Sequence, residues 1–370
     1  MKRLNQIMCM VMLAMAALTM SCTKEGPQGP PGSDGTNGND GNNGVDGTAG
    51  CVTCHTNDTE LALKTAQFET SKHFVGGQNH VGYGDYHGSG CSMCHTHEGF
   101  THAIENDVDD GGLHTAATAM SCYTCHQIHT SYTLDDYAMN FTDPVKLMMN
   151  AGDAFDGLEV DVTSTYGDPE GKGNTCVKCH QSRNEDGNLP NLDLTTPLIV
   201  QSPYYGPHYG SQGIVFGGKG GYFAAEAGNG KHTCISCHIN NAQRTDNNGV
   251  YFGGHNMSLS AMVTDPYGGG EEYVAFTAAC TECHVGELTD DFDLRGIQSG
   301  VKSKLETLRV ALEGAGIMTE TGRIVTGVEH TQAEVAAFWN YKLVKDDGSY
   351  GIHNKTYAND LLDGALGALQ

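Results

Sequence analysis

Basic residues are scarce in this chain. Twenty Lys and Arg stand against 44 Asp and Glu, for a formal net charge of −24 over 370 residues. Nucleic acid demands basic patches, so it is excluded as a partner; an exported protein gains solubility from such a charge. Aromatic residues make up only 8% of the chain and Trp339 is its single tryptophan, while glycine reaches 50 residues. That is too little apolar side chain for an ordinary core of this length. There is also no hydrophobic run long enough to cross a bilayer as a stable helix: the apolar stretch from Ile7 to Met20 is too short. Cysteine outside one recurring pattern is nearly absent. Of 14 Cys, only Cys9 and Cys22 lie elsewhere, both near the N-terminus. The body of the chain therefore has no thiol left for a structural disulfide or a nucleophile.

The pattern that holds the other twelve is Cys-x-x-Cys-His. It occurs as Cys51-Val-Thr-Cys54-His55, Cys91-Ser-Met-Cys94-His95, Cys122-Tyr-Thr-Cys125-His126, Cys176-Val-Lys-Cys179-His180, Cys234-Ile-Ser-Cys237-His238 and Cys280-Thr-Glu-Cys283-His284. This is the attachment signal for c-type haem. The two thiols add to the two vinyl groups of one porphyrin, and the adjacent imidazole becomes the proximal iron ligand. A zinc ribbon also uses Cys-x-x-Cys, and an exported chain can form disulfides. Neither explains a histidine directly after the second cysteine in all six copies. We number the motifs one to six. Six covalent haems would also supply the apolar bulk that the side chains lack, because burying each flat macrocycle provides hydrophobic driving force. The expected fold is mainly α with extensive coil and little β, wrapped around stacked haems.

The N-terminus reads as an export segment. Residues 1–21 have a basic start, Lys2-Arg3, a short apolar middle and a small residue, Ser21, before Cys22. Their removal makes the chain two charges more negative. Leu18-Thr19-Met20-Ser21-Cys22 resembles a lipobox, with Cys22 the lipidated first residue, although Leu stands one position further from the Cys than usual; plain cleavage after Ser21 is the alternative. From Gly26 to Gly50 glycine occupies every third position, as in collagen. Residues 22–50 are expected to be a lipid-anchored, extended tether. A trimer wound through 26–50 is the competing expectation.

Residues 51–295 hold the six motifs, at Cys-to-Cys spacings of 40, 31, 54, 58 and 46 residues, so they do not form a tandem repeat. Glu60 to Phe68 reads as a short amphipathic helix, Gly76 to Gly90 as a Gly-rich loop holding His80 and His87, and 140–175 as mostly loop. Residues 296–370 change character and are expected to be the helical end of the same domain. Val301, Leu305, Leu308 and Leu312 keep helical spacing. Thr331-Gln-Ala-Glu334 is a capping box opening a second helix through Trp339 and Val344 to Gly348. A third helix begins near Lys355.

Twelve of the 18 His lie outside the motifs, which is ample for six distal ligands. His129 follows a proximal His by three residues, one helical turn away, and is expected to face a neighbouring haem. His208 and His255 sit among glycines that let backbone approach a porphyrin. His353 lies between two of the C-terminal helices, and His73 follows the first helix. His87 and His232 compete for the sixth position. The acidic turns Asp246-Asn-Asn-Gly249 and Asp346-Asp-Gly348 have a faint Ca²⁺-loop character, with a solvated turn the simpler expectation.

These phrases, Ser71-Lys72-His73, Cys91-Ser-Met-Cys94-His95-Thr-His-Glu98-Gly99-Phe100, Cys125-His126-Gln-Ile-His129, Gly206-Pro-His208, Gly253-Gly-His255 and Gly348-Ser-Tyr-Gly-Ile-His353-Asn354, resemble the multihaem c-type cytochromes related to cytochrome c554, pentahaem nitrite reductase and the hexahaem filament cytochromes of metal-reducing bacteria. The resemblance implies closely stacked bis-histidine haems, C-terminal helices like those of the nitrite reductase group, and electron transfer at the outer membrane or cell surface with a redox protein or an extracellular acceptor as partner. Filament assembly is a further expectation of the same kind. A reductase of nitrite, hydroxylamine or a sulfur oxyanion at one five-coordinate haem is the alternative. Against it, all six motifs end in His, whereas many nitrite reductases replace one with Lys, and nothing in the sequence orders Arg183, Tyr204 and Tyr205 into a substrate site.

Overall fold

A computed structural model describes residues 51–370 except 52–53, 56–57, 84–85, 87, 150–154, 156, 165–167, 184–188, 229–231, 241–242, 245–250, 265–270, 282–283 and 289–290. The export segment, Cys22, the 26–50 repeat, Cys283, His87 and the Asp246 turn all lie outside the described residues. Everything described belongs to one unit, 47–370.

In chain order the helices are α1 Asp58–Glu69, α2 Lys72–Tyr83, α3 Ser89–His95, α4 His97–Asn106, α5 Cys122–Cys125, α6 Asn174–Cys179, α7 Gln212–Gly217, α8 Cys234–His238, α9 Ala278–Thr281, α10 Ile297–Gly314, α11 Gln332–Asp347 and α12 Lys355–Ala368. The strands are β1 Val145–Lys146, β2 Glu159–Val160, β3 Leu198–Ile199, β4 Gln243–Arg244, β5 Tyr251–Phe252, β6 Ser260–Thr264, β7 Glu271–Ala275 and β8 Glu329–His330. They form four antiparallel two-stranded ladders, β1–β2, β3–β8, β4–β5 and β6–β7. The molecule is mainly helical with long irregular connections and little strand, as the sequence implies. None of its described helices is long and apolar enough to cross a membrane.

The C-terminal helices follow the expected pattern. In α10, Val301, Leu305, Leu308 and Leu312 form the buried stripe. Thr331 Oγ1 accepts from Glu334 N at 3.2 Å and Glu334 Oε2 accepts from Thr331 N at 2.7 Å, the capping box that starts α11. Gly348, at φ 71°, ends it in the left-handed conformation that glycine adopts without a steric penalty. Asn354 caps α12 by accepting from Tyr357 N at 3.1 Å. The three helices share an apolar core with residues from 145 to 222, including Val145, Val177, Ile214 and Tyr222. Polar ties lock the two together. Trp339 Nε1 donates to Gly220 O at 2.9 Å. The buried Asn340 accepts from Tyr222 N at 2.9 Å and donates to Tyr222 O at 2.7 Å and to Leu361 O at 3.0 Å. The β3–β8 pairing sets Leu198 opposite His330, whose Nε2 bonds Val325 O at 2.7 Å, a structural role for that histidine.

Two local expectations are corrected. The stretch beginning at Gly76 is not a loop from its start: α2 runs through Gly76 and Gly77 to Tyr83. His129 is not one helical turn beyond His126. The helix ends at Cys125, His126 is extended, and His129 sits at φ 61° in a tight left-handed turn.

Candidate haem centres

Four of the motifs coincide with short helices or their ends: α3, α5, α6 and α8. On a helix, residues three apart stand on one side, one turn from each other. Both cysteines of a motif are thereby offered to the same ligand, with the following histidine beside them. Sulfur positions also link motifs that are distant in sequence. Cys94 Sγ lies 4.0 Å from Cys179 O and Cys179 Sγ 3.8 Å from Met93 O. The Cys179 thiol is raised well above its usual range, first by its contact with Cys94 and then by burial; Cys176 is raised in the same way, first by Cys234. Motif four thus touches motif two on one side and motif five on the other.

The histidines pair across the fold. His73 stands against proximal His180, ring centroids 5.9 Å apart and nearly perpendicular at 81°. His353 stands against His238 at 6.3 Å, His255 against His126 at 6.2 Å, and His129 against His55 at 6.4 Å. Two metal–imidazole bonds of about 2.0 Å each, plus a ring radius on either side, place the centroids of two axial imidazoles roughly 6 Å apart. The four distances have that value, so each pair would fit an iron held between its two rings. Spacing alone is not sufficient, since His102 and His114 also lie 6.0 Å apart. In that pair, however, His114 Nε2 is already bonded to Gly111 O at 2.5 Å and neither ring belongs to a motif.

Hydrogen bonding separates the two ring nitrogens. His126 Nδ1 bonds Tyr137 O at 2.8 Å, His180 Nδ1 bonds Gln212 Oε1 at 2.9 Å and His238 Nδ1 bonds Met257 O at 2.7 Å. Each bond fixes Nδ1 as the protonated nitrogen, so Nε2 is the nitrogen that could ligate a metal. Burial pushes the pKa of His73 down to about 4, assisted by His180 and His238, and that of His255 down to about 4, assisted by His126 and Lys64. His180 and His238 are likewise lowered by burial. Neutral imidazole, the ligating form, is therefore what these sites hold near neutral pH. His353 differs: burial lowers it, but Asp347 outweighs burial and the net shift is upward.

The loops that deliver the distal histidines are themselves held. His255 rides on the single turn Gly254–Asn256, pinned to α1 by His255 N donating to Gln67 Oε1 at 3.0 Å and Asn256 Nδ2 to Thr70 Oγ1 at 3.1 Å. Tyr132 stacks on the His129 ring at 5.6 Å and 11°, and Tyr123 OH lies 3.2 Å from its Nδ1. An open cleft of about 400 Å³ borders His126, lined also by His97, Tyr123 and Asn140.

Other candidate positions are placed differently. His95 lies against Tyr86 at 4.5 Å, and His284 Nδ1 is 3.5 Å from Glu287. His208 is exposed, at φ 63°, with Tyr209 against its ring at 5.6 Å. His232 is exposed, and among the described residues no motif ring stands against it. In the acidic turn Asp346-Asp347-Gly348 the two carboxylates face different groups: Asp346 pairs with Lys342 at 2.9 Å and Asp347 with His353 at 2.5 Å. Tyr137, Gln212 and Met257, which bond the Nδ1 atoms of His126, His180 and His238, gave no signal in the sequence, and Asp347 gave one only as part of an acidic turn. Three act through a carbonyl oxygen of backbone or side-chain amide, and only the fold brings any of the four to its histidine.

No protein-family profile matches the chain, and no curated protein matches it. Among solved structures it is similar to the crystal structure of the outer cell wall cytochrome OcwA, with 18% sequence identity and a TM-score of 0.46. The similarity covers 83% of this chain and 50% of that one, so the chain spans half the length of that protein.

Proposed function

We propose that the chain is an exported multihaem c-type cytochrome that passes electrons along six covalently bound haems. The observation that carries this is the set of four motif histidines, His55, His126, His180 and His238, each facing a second imidazole at 5.9–6.4 Å. Cys51 and Cys54, Cys91 and Cys94, Cys122 and Cys125, Cys176 and Cys179, Cys234 and Cys237, and Cys280 and Cys283 hold the six groups. Bound haem supplies a one-electron iron couple. The protein's part would be to orient the imidazole rings and exclude water, and the four paired histidines would leave a substrate no access to iron at motifs one, three, four and five. The sulfur contacts that join motifs two, four and five support close neighbours in the array.

In the same reading the Cys22 lipid and the 26–50 tether hold this conductor at the outer membrane, where it meets a redox protein or an extracellular acceptor. The paired imidazoles favour electron transfer over the reductase alternative. The test is direct: measure haem content, then mix the reduced protein with a soluble ferric chelate and, separately, with nitrite and hydroxylamine. Six haems, rapid oxidation by the chelate and no catalytic turnover of nitrite or hydroxylamine are expected. Sustained turnover of either nitrogen compound would overturn the proposal in favour of an enzyme.

A further inference from the structure

The groups that bond the ring nitrogens of the paired histidines are neutral with one exception. His126 uses a backbone carbonyl, His180 an amide oxygen, His238 a backbone carbonyl and His129 a tyrosine hydroxyl. His353 instead has its Nδ1 2.5 Å from Asp347 Oδ1. The Asp347 side chain is 1% exposed. Its second oxygen accepts from Ser349 N at 3.2 Å and from the Ser349 hydroxyl at 2.5 Å, and Ser349 Oγ in turn accepts from His353 N at 3.1 Å. The three residues close a ring of hydrogen bonds that leaves the carboxylate no freedom to turn away. The neighbouring cations are otherwise engaged: Lys342 pairs with Asp346, and Lys345 lies over the Tyr341 ring at 5.5 Å. A carboxylate also meets His284, but Glu287 is 39% exposed and shared with Arg295 at 2.6 Å.

A buried carboxylate is costly unless positive charge faces it, and the group facing Asp347 is His353. With haem bound at motif five, its iron would place positive charge beyond the His353 ring, which faces His238. A carboxylate on the far nitrogen of an axial imidazole makes the ligand more basic, and outer-shell partners of this kind tune a metal's potential. The negative charge favours the ferric over the ferrous state.

Resting on the haem reading above, we infer that Asp347 is a positioning and potential-setting residue: it orients His353 and holds the motif-five haem at a lower reduction potential than a neutral acceptor would. One step of the wire is thereby set apart, biased to remain oxidised until its neighbours are filled.

The experiment is potentiometric titration of the haem-loaded full chain followed by EPR, with the wild type beside Asp347→Asn, Asp347→Glu and Ser349→Ala. Asp347→Asn keeps the shape and removes the charge. One low-spin signal of the set is expected to titrate at higher potential, its reduction equilibrium constant up tenfold or more, or about 59 mV for each tenfold, while the others move less. Asp347→Glu recovers part of the shift. Ser349→Ala, which keeps the charge but loosens it, raises the same signal by a smaller factor, and it decides the matter if Asp347→Asn loses the haem. Unchanged potentials in Asp347→Asn or in Ser349→Ala, with all haems retained, overturn the inference; so does an equal shift in Asp347→Glu, which would make the effect steric. A wild type that carries no covalent haem overturns the underlying functional reading instead.

Discussion

Two regions of the molecule are built on different principles. Residues 297–369, with the segment from 145 to 222, share a continuous side-chain core in which Trp339, Phe338, Leu308, Leu312 and Leu361 are essentially inaccessible. Residues 51–140 carry three of the six motifs, yet their buried apolar side chains among the described residues are Met93, Phe100, Ala103, Ala117 and Ala119. The first region buries many large apolar side chains; the second buries few among its described residues. Histidines and cysteines stand where its core would be. The difference teaches that the helical end is held by ordinary side-chain packing, while on the proposed reading porphyrin would supply the interior of the N-terminal part.

The largest effect that would break this comparison is removal of haem. In protein made without haem attachment, or with the twelve motif cysteines changed to serine, amide-exchange protection is expected to vanish over 51–140 and to persist over 297–369. Equal loss in both would contradict the division. Next comes the scaffold's own anchor. Trp339→Ala should cost about 3–5 kcal/mol in denaturant unfolding by creating a cavity and leaving Gly220 O unpaired. The visible spectrum of the folded fraction should be unchanged. Asn340→Ala strands the Tyr222 and Leu361 backbone groups and should cost about 2–4 kcal/mol. On the other side of the comparison, His73→Ala or His255→Ala should convert a single haem from low to high spin with little loss of stability, seen as a new ferric high-spin absorption. The smallest effect is Thr331→Ala, about 1 kcal/mol through the lost cap of α11.

Sequence carried the scaffold far better than the pairings. The α10 stripe, the Thr331 capping box and the Gly348 stop are local signals, and all three helices lie where those signals put them. The helix through Gly76 and Gly77 was hidden because glycine argues against helix. Here Gly77 is buried with Ala119 so close that an added Cβ would sit 3.3 Å from its methyl, so packing rather than propensity chose the residue. The six proximal histidines were legible because the motif is contiguous. That His73 meets His180 and His255 meets His126 was not legible, because those partners are far apart in the chain and joined only by tertiary contacts such as Gln67 to the His255 turn. The left-handed turn at His129 misled in the same way: spacing suggested a helix, while the backbone reverses to set the ring against His55.

The central proposal is that two imidazoles fill the axial positions of every haem: the four pairs at motifs one, three, four and five, and two more to be supplied at motifs two and six, where His95 lies against Tyr86 and His284 against Glu287. Low-temperature EPR on the oxidised protein, with the haem content measured on the same sample and the high-spin region integrated, tests it most directly. Six haems with only low-spin ferric signals is the predicted result. A high-spin component equal to one haem in six would contradict it and reveal an iron open to substrate.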